Sequence, residues 1–117
     1  MKKSYLPELK DPDYPKGELT DMPEIVVLAR LKARQDSVET VKSELVKMVE
    51  PTRKEAGCIT YQLHQDNEDP SVFVFYEIWE GAASLERHKD SDHYRHYAAT
   101  VFGLIEERLV NKLTRIG

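Results

Sequence analysis

From Glu24 onward the apolar positions alternate between two spacings, one of two residues and one of three to four. Ile25, Val27, Ala29 and Leu31 alternate with Val26, Leu28, Arg30 and Lys32, which predicts a strand whose two faces are both apolar at its start. Asp36 or Ser37 then offers a helix cap, and Val38, Val41, Leu45, Met48 and Val49 recur at helical spacing through a charged segment. Pro51 is expected to bend this helix or to begin a separate last turn, and Ala56-Gly57 to end it. Cys58 to Gln65 predicts a second strand, with Ile59, Tyr61 and Leu63 on one face and Thr60, Gln62 and His64 on the other. Asp66-Asn67-Glu68-Asp69-Pro70-Ser71 is turn chemistry, so a hairpin joins it to the strongest strand, Val72 to Glu80. There Phe73, Phe75, Glu77 and Trp79 share a face opposite Val72, Val74, Tyr76 and Ile78.

Beyond Gly81 a short helix carries Leu85 and His88, and Ser91 or Asp92 caps another with Tyr94, Tyr97, Ala98, Val101, Phe102 and Ile105 in helical rhythm. Glu107 to Ile116 reads as a mixed last strand. The order βαββαβ, with its second helical region split, predicts an α+β fold, a ferredoxin-like βαββαβ sandwich. Helices on one side of a four-stranded sheet leave the other side bare, yet the third strand is apolar on both faces. A second copy of the same sheet is the simplest cover, so the chain is expected to form a homodimer with a dimeric α/β barrel core. Residues 1–23 hold four of the six prolines and only scattered apolar residues, which predicts an extended N-terminal arm ahead of a folded domain over 24–117.

Charge and composition narrow the partners. Lys+Arg 17 against Asp+Glu 21 gives a net charge of -4, unsuited to a surface that tracks phosphates, so no nucleic acid is expected. Cys58 is alone, which excludes an intrachain disulfide and any multi-thiolate metal site. No apolar run reaches the roughly 20 residues of a membrane span, and no signal-peptide pattern follows Lys2-Lys3, so a cytoplasmic location is expected.

Four stretches together carry a family resemblance: Glu55-Ala56-Gly57-Cys58-Ile59-Thr60-Tyr61, Tyr76-Glu77-Ile78-Trp79-Glu80, Leu85-Glu86-Arg87-His88 and Ser91-Asp92-His93-Tyr94. Over about residues 24–116 the chain resembles the antibiotic biosynthesis monooxygenase family, and within it the small bacterial quinol monooxygenases. The resemblance implies a pocket in each subunit between sheet and helices, and oxidation of an electron-rich phenol or quinol by dioxygen. It implies no cofactor, since many members need no flavin, haem or metal. Glu77, Trp79 and His88 match the family's strand glutamate, strand tryptophan and helix histidine, and His93 with Tyr94 matches a second histidine-aromatic pair. Where antibiotic-tailoring members carry an asparagine four residues before the tryptophan, this chain has Phe75, which points to the quinol-oxidising or isomerase branches.

Deprotonating a hydroxyaromatic makes it a far better electron donor to oxygen, so the protein need supply only a base, a dry pocket and donors for the anion. His88 or His93 is the candidate base. Trp79 and Phe75 are the candidate stacking wall, Tyr97 or His64 a donor, and Glu77 is expected to orient a histidine or to pair with Arg30. Each also has a plain structural role open to it, such as core packing for Trp79 and Phe75 or helix capping for His88. His88, His93 and His96 do not share a face of a continuous helix, and no carboxylate pattern completes a set with them, so no metal site is expected. Two other functions stay open: an isomerase of a small (phosphorylated) carbonyl compound, and a dimeric module that binds hydrophobic aromatics. A haem-degrading role ranks last.

Overall fold

The computed structural model describes residues 23–117. The extended arm expected over 1–23 therefore lies, but for Pro23, outside the described residues. The elements run β1 (Ile25–Ala33), α1 (Val38–Arg53), β2 (Cys58–Gln65), β3 (Val72–Trp79), α2 (Ala82–Lys89), α3 (Asp92–Val101), a 3-10 turn (Phe102–Leu104) and β4 (Ile105–Leu113). The strands form one antiparallel sheet in the order β2-β3-β1-β4. This is the ferredoxin-like βαββαβ arrangement the residue pattern predicts.

Helical period decides which face of α1 meets the sheet. Val41, Leu45, Met48 and Thr52 are buried, while Val46 faces solvent. Pro51 sits inside the last turn of α1 and neither ends it nor opens a separate one. Gly57, with φ of +87°, makes the turn into β2 that a residue with a Cβ would resist, and its carbonyl accepts from Glu80 N at 2.9 Å. Asp66 and Asp69 close the hairpin by accepting backbone N–H bonds from Glu68 at 2.8 Å and Ser71 at 3.1 Å.

Three local expectations are corrected. The β2 register shifts between Cys58 and Thr60, so Ile59 is an extra residue and turns outward instead of joining Tyr61 and Leu63. The rhythm of α3 stops at Val101, because Phe102–Leu104 tightens into a 3-10 turn held by Arg34 N on Leu104 O at 2.9 Å. Ile105 then starts β4 opposite Ala33, two residues earlier than expected, and the strand ends at Leu113.

Cross-strand pairing sorts the sheet's two faces. Glu77 opposes Tyr61 on one side and Val27 on the other, and Val27 opposes Lys112, which makes one row under the helices. Phe75, Ala29 and Val110 form the next row. The opposite face carries Val26, Leu28, Val74, Tyr76, Ile78, Leu109 and Leu113. Leu28, Leu109 and Leu113 are exposed there.

Candidate functional site

Val27 and Ala29 are small residues in the middle of a floor otherwise built from Tyr61, Phe75 and Glu77. Space opens above them, beneath α2 and α3, as a cavity of about 490 Å³. That volume suits a small organic ligand. Its aromatic wall is Tyr61, Phe75, Tyr94 and Tyr97, its titratable groups include Glu77 and His88, and Lys89, Arg108 and Lys112 also line it.

One helix break brings the histidines together. Ser91 ends α2 by donating Oγ to His88 O at 2.6 Å, and it caps α3 by accepting from Tyr94 N at 3.2 Å. His88 and His93 thus belong to different helices, and their rings stand 6.0 Å apart. From the turn after α1, Glu55 reaches between them. Its Oε2 lies 2.7 Å from His88 Nδ1 and 2.6 Å from His93 Nε2. An ionised carboxylate is an acceptor only, so each imidazole donates its N–H to Glu55. His88 must then carry its proton on Nδ1, which leaves Nε2 as its basic nitrogen, on a ring that lines the cavity.

His88 is 2% exposed. Burial pushes its pKa below the ordinary histidine value, against the opposing pull of Glu55, so the neutral base is favoured. Trp79, fully buried, tilts over the His88 ring at 4.7 Å and donates Nε1–H to Glu77 Oε1 at 2.9 Å. Glu77 is itself 5% exposed, and its pKa is pushed up to about 7. Burial is the main cause and the Glu55 charge adds to it; the Trp79 bond and the Arg108 charge oppose it. Tyr97 is raised to about 12, first by burial, and so remains a hydroxyl donor near neutrality.

Of the residues singled out from sequence, Phe75, Glu77, His88 and Tyr97 line the cavity. Trp79 and His93 support it from behind, through Glu77 and Glu55. His64 is elsewhere: it is exposed on the outer face of the sheet, near Val74 O at 3.4 Å. Glu77 and Arg30 do not meet, because Arg30 is on that same outer face and pairs with Glu107 at 2.9 Å. The missed member is Glu55, quoted in the resemblance yet given no role. It also corrects the premise behind the metal expectation, since Glu55, His88 and His93 place three ligand atoms within 4.8 Å of one another. Two imidazoles and a carboxylate can hold a divalent cation such as zinc. As they stand, both contacts have hydrogen-bond lengths and fit a carboxylate that accepts two N–H protons.

Residues 24–100 match the profile of the family described as antibiotic biosynthesis monooxygenase. The chain belongs to that family. Among solved structures of similar fold, PA3566 of Pseudomonas aeruginosa is 32% identical, with a TM-score of 0.78 over 81% of this chain and 96% of that one. Rv0793 of Mycobacterium tuberculosis is 33% identical over 81 residues, covering 69% of this chain and 79% of its own. Its structure superposes with a TM-score of 0.76 over 80% of this chain and 96% of that one. A Synechocystis protein, sll1783, is 30% identical over 73 residues, which are 62% of this chain and 50% of sll1783. This chain therefore aligns with only half the length of that relative.

Proposed function

We propose that this family member is a cofactor-independent monooxygenase that oxidises a quinol or related phenolic small molecule with dioxygen. The observation that carries the reading is the bond between His88 Nδ1 and Glu55 Oε2 on a ring that lines an aromatic-walled cavity. His88 Nε2 takes the phenolic proton, and Glu55 holds the ring in that tautomer and stabilises the imidazolium that forms. Neutral Tyr97 and the Arg108 charge favour the phenolate. Phe75 packs against the substrate ring, and Glu77 returns or accepts a proton close to neutral pH. The reaction balances without an external reductant. A quinol and one O2 give a hydroxyquinone and water: two electrons come from hydroxylating a ring C–H and two from oxidising the quinol.

The working unit in this reading is a cytoplasmic homodimer of the 24–117 domain, each copy preceded by the extended arm. The exposed leucines on the outer sheet face support the dimer. The test is oxygen consumption with a menadiol-type quinol, followed by isotope labelling of the product. The reading expects uptake well above the spontaneous rate and one labelled oxygen atom in the product. Uptake no faster than the uncatalysed reaction would sink it.

One observation favours a second reading. Glu77 and His88 place two acid-base groups in the same cavity, as an isomerase of a small carbonyl compound needs for proton shuttling. Turnover of such a substrate at the same rate without oxygen would decide for it.

A further inference from the structure

The chain as a whole is acidic, yet Lys89, Arg108 and Lys112 gather at the cavity. Period two on β4 aims Arg108, Val110 and Lys112 at the helix side of the sheet, through their pairing with Leu31, Ala29 and Val27. Lysines on an edge strand often serve only to discourage pairing with other sheets. That role does not account for this strand, because its outer positions Glu107, Leu109, Asn111 and Leu113 carry no cation, and both pocket-side charges are positive. Among the described residues, no carboxylate lies within ion-pair distance of Arg108 or Lys112. Arg108 is held instead by neutral groups: Nη2 donates to Tyr94 Oη at 3.1 Å, and its guanidinium carbon sits 4.5 Å from the Phe102 ring centre. A guanidinium fixed in this way keeps donors available for a ligand. Lys89, by contrast, already has Glu86 at 3.3 Å.

We infer that the substrate is a hydroxyaromatic that carries a carboxylate on its ring, with Arg108 and Lys112 holding that carboxylate beside β4 while the hydroxyl faces His88. The inference rests on reading the cavity as the site of phenol oxidation and adds the charge of the substrate to it. The buried Glu77 is compatible with an anionic ligand, since a carboxyl whose pKa is pushed up to about 7 is only partly ionised near neutrality and uncharged in mild acid. Arg108 and Lys112 are then specificity-determining residues, and neutral quinols are the poorer ligands.

The test is calorimetric titration with a hydroxynaphthoate and with its methyl ester, which keeps the ring and hydroxyl but removes the charge. Wild-type protein is expected to bind the acid about three to ten times more tightly than the ester, the range two partly exposed ion pairs supply. High salt is expected to narrow the ratio. In Arg108→Gln/Lys112→Gln the ratio is expected to fall to about one. Lys112→Glu is a second variant at an exposed position that leaves the Arg108 bond to Tyr94 in place, and it is expected to bring the ratio to one or below. Equal binding of acid and ester to the wild type, or a wild-type ratio kept in either variant, overturns the inference and leaves the aromatic pocket standing. Binding of neither ligand overturns both.

Discussion

Glu55 Oε2 lies 2.7 Å from His88 Nδ1 across 33 residues of sequence, and the contact leaves Nε2 as the ring nitrogen free to take a proton. Glu55→Gln keeps the shape but loses the charge, so neither the tautomer nor the imidazolium is stabilised. Oxidation is expected to slow by about 100-fold, with the loss in kcat rather than KM. Denaturant unfolding is expected to show a cost of about 1–3 kcal/mol from the weakened buried bonds to His88 and His93. A variant with wild-type kcat would remove Glu55 from the mechanism.

Glu77 makes stability depend on pH. Its pKa rises from the usual 4.5 to about 7 on folding, so below 4.5 both states hold the proton and nothing is lost. Between 4.5 and about 7 the unfolded chain ionises first, and stability falls as pH rises. Glu77→Gln keeps an acceptor for Trp79 Nε1 and cannot ionise. Relative to wild type it is expected to gain about 3 kcal/mol between acid and mildly alkaline conditions, read by urea unfolding at both. A difference that does not change with pH would mean that the buried carboxyl titrates normally.

Gly57 ties the backbone to the site. A Cβ there would stand 2.0 Å from Ser84 Oγ and 2.6 Å from Ser84 Cβ, at a φ of +87°. Gly57→Ala is expected to cost about 2–4 kcal/mol and to lower activity by displacing the Glu55 turn. Thermal unfolding and oxygen uptake measured together check both effects.

The outer sheet face supplies the prediction for assembly. Leu109 is 56% exposed there beside Leu28 and Leu113. Sedimentation is expected to give twice the chain mass for wild type and a monomer for Leu109→Glu, which would place a charge in the buried interface. A monomeric wild type would end the dimer reading.

Much of the fold is legible in the residue pattern because burial on one face imposes a period that local sequence displays. Val41, Leu45 and Met48 mark the inner face of α1, and Phe73, Phe75 and Trp79 the inner face of β3. The same periodicity already separates His64 from Tyr61 and, by pairing of β1 with β3, Arg30 from Glu77. Placing His64 at the pocket and Arg30 against Glu77 gives chemical type more weight than direction. Ile59 escaped because a bulge adds a residue without a local signal. Glu55 and Arg108 escaped for a different reason. Their places at the cavity arise from contacts between distant elements, and near either residue the pattern shows only a helix ending or an edge strand.

The central claim is that His88 takes the substrate's proton, and the most direct measurement is the absorption spectrum of a bound hydroxynaphthalene without oxygen. Below the ligand's own pKa, wild-type protein is expected to bring up the naphtholate band on binding, and His88→Ala to bind the ligand with its hydroxyl still protonated. A naphtholate band of equal strength in His88→Ala, or a protonated ligand bound to wild type, would contradict the account.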